Sequence, residues 1–294
     1  GARALCPAGT VTVGGGVDAD LLALVTSSFP VHADGTPDGG RLLGQPDGAG
    51  PGPLGWQASM RHAGLGAATV KIAALCSDAG STSTEVASAL VNPSFAVAAL
   101  ALCPPGRKAI GGGVDLEQPA TMNVTSDGPL VELEQIEATG TFFFAPDGIH
   151  AGPVGWFAAA RSDDAQARQM RVGAICSARF PVQTVIDSVT VPAGGQDSLR
   201  VLCPGGLRAS AGGIALENAL NMQVTASGPH FALRSGAQVD LGEMDDGAAP
   251  GPIGWAASAH HIGVVPLVRL GVVGVLGLSR VAADPVGGDA AGSW

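Results

Sequence analysis

The sequence repeats itself three times, and no other property restricts its fold as strongly. Cys6-Pro7-Ala8-Gly9, Cys103-Pro104-Pro105-Gly106 and Cys203-Pro204-Gly205-Gly206 each stand ahead of a glycine cluster, Gly14 to Gly16, Gly111 to Gly113 and Gly212-Gly213. Later in each copy an Asp-Gly pair leads into Gly-Pro-x-Gly-Trp, over Asp47 to Trp56, Asp147 to Trp156 and Asp246 to Trp255. Three related units of about 100 residues follow, as expected for an internal-repeat architecture. We place them at 1–80, 81–180 and 181–279, with 280–294 as a closing or donated C-terminal segment.

Within a copy the apolar period is that of a strand. Trp56, Ala58 and Met60 alternate with Gln57, Ser59 and Arg61, and the same pattern recurs from Trp156 and from Trp255. A two-residue period sends alternate side chains to opposite faces, so each Trp is expected in a core. Val70 to Cys76, Arg171 to Cys176, Leu267 to Val275, Val86 to Val91 and Gln183 to Val191 read as further strands between Gly, Pro and Asp turn signals. Met122-Asn123-Val124-Thr125 and Met222-Gln223-Val224-Thr225 match Ala23-Leu24-Val25-Thr26. The fold class is therefore all-β, three tandem homologous sandwich or barrel-like repeats.

A strand pair lies between copies one and two, Val86 to Val91 with Ala96 to Cys103, and another between copies two and three, Thr184 to Val191 with Ser198 to Cys203. Ahead of the first copy only Ala2 to Cys6 is present, so Arg280 to Val286 is the expected missing member. That arrangement closes a pseudo-threefold ring; separate sandwiches strung like beads are the alternative.

Five cysteines fall into two pairs and a remainder. Cys6 with Cys76 and Cys103 with Cys176 bracket the first two copies at matched positions, without the short spacing of a zinc site. Two disulfides within repeats are expected, and with them an oxidising compartment. Cys203 is left as a free, buried thiol, because aligning Val273 to Gly277 with Val172 to Cys176 puts Gly277 at the partner's place.

Composition removes several partners. Net charge is −10 and the 15 Lys and Arg are dispersed, so no basic patch is available for nucleic acid or an anionic membrane. The apolar run Ile262 to Leu278 contains Pro266 and Arg269 and aligns with strands, so a spanning helix is not expected. The charged fraction of 14% leaves an apolar surface, which suits packing against other chains.

Asp47, Asp147 and Asp246 are the best candidates for a repeated ligand site, because a loop carboxylate near an aromatic edge can hold calcium or a sugar hydroxyl. Asp-Gly is equally a tight-turn dipeptide. The glycine clusters have neither the lysine nor the helix of a phosphate loop and read as bulges or close strand crossings. His260-His261 face opposite sides of a strand, Glu132, Glu134 and Glu137 with Asp163-Asp164 form a locally acidic region, and Asn123-Val124-Thr125 is an N-glycosylation pattern. No catalytic, cofactor or metal constellation is expected.

The combination of Cys-Pro-x-Gly, glycine triplet, late Gly-Trp and closing Ala-x-Cys resembles a repeat of predicted secreted β proteins of high-GC bacteria, many without assigned function. The resemblance spans about 280 residues and implies secretion and a β module, with no catalytic residues to carry over. The resulting expectation is a secreted, cell-surface structural or adhesive protein that self-associates or joins other surface proteins. A lectin-like, glycan-binding protein is the alternative, and a secreted hydrolase the third reading.

Overall fold

The computed structural model describes residues 2–19, 23–32, 41–62, 70–78, 82–131, 146–216, 222–232, 235, 237–241, 251–262 and 267–277. Regular structure among them is almost entirely β. The first stretch forms β1 (Ala2–Leu5), β2 (Val11–Ala19), β3 (Ala23–Val31), β4 (Gly48–Pro51), β5 (Gly55–His62), β6 (Val70–Ser77) and β7 (Ser83–Val91). The second forms β8 (Ala96–Leu102), β9 (Lys108–Leu116), β10 (Met122–Leu130), β11 (Gly148–Ala151), β12 (Gly155–Ser162), β13 (Arg168–Ser177) and β14 (Val182–Pro192). The third forms β15 (Gln196–Leu202), β16 (Arg208–Leu216), β17 (Met222–Ala232), β18 (Gln238–Asp240), β19 (Gly254–His261) and β20 (Leu267–Gly277).

Strand order shows how the copies combine. Sheet one runs β1-β5-β3-β9-β13-β7-β4, sheet two β8-β12-β10-β16-β20-β14-β11, and sheet three β15-β19-β17-β2-β6, with β18 beside β17. Each sheet thus begins in one copy and continues in the next. The seams are single bridges at one repeat position: Ser28 opposite Val114, Asp127 opposite Ile214 and Ser227 opposite Val17. Copy one joins copy two, two joins three, and three returns to one. The repeats form a pseudo-threefold ring rather than beads.

Every sheet supplies a layer to two sandwiches. Trp156 of β12 in sheet two packs with Ile110, Val114, Val172 and Ala174 of β9 and β13 in sheet one. Trp255 of β19 packs in the same way with Ile214, Leu216, Leu270 and Val272, and Val17, Val25 and Ala58 of copy one join that cluster. Trp56, Trp156 and Trp255 are each 1% exposed. The alternation expected from each Trp has an addition in β12, whose other face is also covered, Phe157 and Ala159 packing against Ala215.

The glycine clusters lie within β2, β9 and β16, where each strand carries an extra residue at Val13, Ile110 or Ser210. A Cβ on Gly112 would sit 2.3 Å from the Trp156 ring, and one on Gly213 would sit 2.1 Å from the Asp127 carbonyl oxygen. Crossing backbones this close need the missing side chain.

Disulfides Cys6–Cys76 and Cys103–Cys176 tie the two layers of their sandwiches together, and Cys203 is a free thiol. The register corrects one alignment. Cys76 lies opposite Thr12 and Cys176 opposite Ala109, and the residue opposite Ala209 is Leu276, not Gly277. Leu276 lies 21 residues after Trp255, whereas Cys76 and Cys176 lie 20 after Trp56 and Trp156. Beyond β6, sheet three has no further strand among the described residues, whereas sheets one and two continue through β7-β4 and β14-β11. Arg280–Trp294 lies outside the described residues.

Candidate functional site

The most regular polar feature is the pairing beneath each Trp. Indole Nε1 of Trp56 donates to Ser28 Oγ at 2.9 Å, that of Trp156 to Asp127 Oδ1 at 2.6 Å, and that of Trp255 to Ser227 Oγ at 3.0 Å. Each acceptor sits at the seam bridge, and the proline two residues on, Pro30, Pro129 or Pro229, lies opposite the Trp. The joint therefore fixes the Trp rotamer and the crossing of two copies together. A buried indole N–H normally finds such a partner. In copy two the acceptor is a carboxyl, and burial pushes Asp127 up to about 8, against the opposing pull of the Trp156 hydrogen bond. At neutral pH it is a protonated acid in a core.

Asp47 and Asp147 hold turns. Asp47 accepts from Ser88 at 2.8 Å and lies 3.2 Å from Arg171 Nη1, which also bonds the Gln45 carbonyl. Asp147 accepts from Ser188 at 2.9 Å. The following Gly48 and Gly148 have φ of +106° and +136°, a conformation that suits glycine. Each carboxylate thus ties its turn to the strand after the sandwich, β7 or β14. Asp246 lies outside the described residues.

Two further charged clusters sit on outer faces at the seams. Arg41 Nη2 meets Asp115 Oδ1 at 2.5 Å, and the Leu43 amide donates to Asp115 Oδ2 at 3.2 Å. This clasp carries Leu42 into the cluster of Phe29, Val31 and Val86, which pins the loop of copy one over the sheet it shares with copy two. At the third seam Arg200 Nε lies 3.1 and 3.0 Å from the two Asp240 oxygens, and His230 Nδ1 lies 2.6 Å from Asp240 Oδ1. Burial works to raise the Asp240 carboxyl, but the Arg200 and His230 hydrogen bonds outweigh it and hold the group below its ordinary value. Ser198, Ser258 and Asp18 complete a small cleft there. Asp115 and Asp240 each already have a cationic partner, Arg41 and Arg200.

The remaining sequence candidates fall apart as sites. Burial pushes the Cys203 thiol up to about 12, although Arg208 pulls the other way, so the group is not a nucleophile at neutral pH. Asn123 is 3% exposed, its amide spent on Arg61 and Asp163, so the glycosylation pattern is inaccessible in the folded chain. Asp164 is held below its usual range chiefly by the Arg168 hydrogen bond. His261 is buried and His260 is not fully buried, on opposite faces of β19. Glu132, Glu134 and Glu137 lie outside the described residues. Among the described residues no three His, Cys, Asp or Glu are grouped to hold a metal ion.

Sequence reasoning overlooked one repeated surface feature. Leu5, Leu102 and Leu202, each directly ahead of the repeat's first Cys, are 62%, 44% and 47% exposed. They end β1, β8 and β15, the outermost strands of the three sheets. The pseudo-threefold sets one apolar residue on each of three equivalent edges. The signal lay in the Leu-Cys-Pro triplet common to all copies.

No protein-family model and no curated protein matches the chain. Among solved structures, the protein of "The Triple Jelly Roll Fold and Turret Assembly in an Archaeal Virus" is similar over 90% of this chain and 78% of that chain, at 11% identity and a TM-score of 0.21. Overlap that low carries no argument about this chain. Among the described residues no helix is long and apolar enough to cross a membrane.

Proposed function

We propose that the chain is a secreted, non-enzymatic structural or adhesive protein that packs against copies of itself or other surface proteins. The carrying observation is the set of exposed Leu5, Leu102 and Leu202 on three symmetry-equivalent sheet edges. Exposed apolar groups beside unpaired strand backbone favour edge-to-edge association, which proteins with isolated edges usually block with charge. The two disulfides support an oxidising, extracellular setting. The glycan-binding alternative loses its stacking platform, since the three repeated Trp are buried, and two of its three carboxylate anchors already bind serines.

Light scattering and negative-stain microscopy test the proposal. The full chain should associate with rising concentration, and Leu5→Lys/Leu102→Lys/Leu202→Lys should disperse it without changing its melting temperature. A full chain that stays monomeric at tens of micromolar, or a triple variant that assembles equally well, contradicts the proposal.

A further inference from the structure

We propose that the centre of the ring binds one buried water molecule, held jointly by the hydroxyls of Thr26, Thr125 and Thr225. The three residues occupy one repeat position, in Val25-Thr26-Ser27, Val124-Thr125-Ser126 and Val224-Thr225-Ala226. Each is the extra residue of a β-bulge, because pairing passes from Val25 to Ser27, from Val124 to Ser126 and from Val224 to Ala226. Bulges re-aim a side chain away from its ladder. The strands that carry them, β3, β10 and β17, pack against one another in all three combinations.

Exposure of the three is 0%, 2% and 2%, and each Oγ1 has no hydrogen-bond partner among the described residues. The adjoining hydroxyls are satisfied. Ser27 Oγ accepts from the Leu116 amide at 3.1 Å and Ser126 Oγ from the Leu216 amide at 3.0 Å. That seam contact fails in copy three, where Ala226 has no hydroxyl, whereas the threonine recurs in every copy. Valine has the same shape, so a position that needed only volume would be better served by Val than by an unpaired buried hydroxyl.

Three hydroxyls suit a water, which typically makes about three hydrogen bonds to otherwise unsatisfied buried groups. Each hydroxyl can donate or accept. A bare ion fits less well: no charged side chain bonds these threonines, and an ion would lose its hydration without a counter-charge.

Thr→Val substitutions, singly and together, provide the test. If one water links the hydroxyls, Thr26→Val, Thr125→Val and Thr225→Val should each lower the melting temperature, by roughly 2–4 °C. The triple variant removes guest and hosts together and should recover to within about 2 °C of the original protein. Three single variants that each raise the melting temperature, with effects that add, would mean three independent unpaired hydroxyls and would overturn the proposal. Melting that responds to the identity of the halide or alkali cation in the original protein, but not in the triple variant, would overturn the water in favour of an ion. A crystal structure of the unsubstituted chain supplies an independent check, with density expected for one water about 3 Å from all three Oγ1 atoms. Absence of that density overturns the proposal without recourse to variants.

Discussion

Trp156 donates its indole hydrogen to Asp127, whereas the equivalent Trp56 and Trp255 donate to Ser28 and Ser227. One seam of the ring therefore contains an ionisable group where the other two are neutral. Burial raises Asp127 from 3.8 to about 8 on folding, so the folded chain keeps a proton that the unfolded chain releases. Below about pH 4 both states are protonated and the group imposes no penalty. Stability should fall as pH rises from about 4 to about 8, then level off, with a total of order 5 kcal/mol. Asp164 and Asp240, both held low, act in the opposite sense: the stability they contribute is present above about pH 4 and is lost in acid. Asp127→Ser copies the other seams and leaves those groups in place. Denaturation midpoints across this pH range should lose their decline in Asp127→Ser, and an unchanged decline would mean Asp127 is not its source.

The register makes a third disulfide predictable. Leu276 stands opposite Ala209 as Cys176 stands opposite Ala109, so Leu276→Cys should pair with Cys203 when the chain folds under oxidising conditions. Gly277→Cys should not, because successive positions of a strand alternate between faces and 277 is one place on. Non-reducing peptide mapping distinguishes the two. A closed loop of this size adds roughly 4 kcal/mol in the chain-entropy model.

Gly112 and Gly50 offer a paired test of the close crossings. A Cβ on Gly112 would strike the Trp156 ring at 2.3 Å, whereas the nearest atom to one on Gly50 is 3.6 Å away. Gly112→Ala should destabilise by about 1–3 kcal/mol or more, and Gly50→Ala should change little. Trp156→Ala should cost about 3–5 kcal/mol. Equal midpoints for the two alanine variants in urea would show that Trp156 does not sit over Gly112.

Sheet three ends at β6 among the described residues while its two counterparts continue, and Arg280 to Val286 is the segment the sequence offers for the missing member. A chain ended at Ser279 should lose stability if that segment completes the sheet within the chain, or lose association if it completes the sheet of a neighbour. Calorimetry and light scattering on the same sample read both, and a truncated chain unchanged in each would remove the segment from the account.

Much of this architecture is legible in the residues. Alternation from each Trp marks the core strands and matched Cys positions give the two bridges; the ring closes through β17 and β2, whereas the closing segment expected at Arg280 to Val286 lies outside the described residues. What escapes is the side-chain partner beneath each Trp. Ser28, Asp127 and Ser227 stand beside a recurring Val-Thr, but nothing local shows that each accepts from a Trp about 28 residues later. Asn123 looks like a surface acceptor because a three-residue pattern contains no information on burial. The offset between Leu276 and Gly277 has the same origin: one added residue after Trp255 moves an alignment by a place, and only backbone pairing restores it.

Three copies share three sheets, and the ring they form should unfold as one cooperative body. Differential scanning calorimetry of the disulfide-intact chain at a pH and concentration where unfolding is reversible tests it most directly. Shared sheets and a core that crosses copies predict a single transition, with the van't Hoff enthalpy equal to the calorimetric enthalpy of the whole chain. Independent sandwiches would instead give separable transitions, or a van't Hoff enthalpy near one third of the calorimetric value, and that result would contradict the ring.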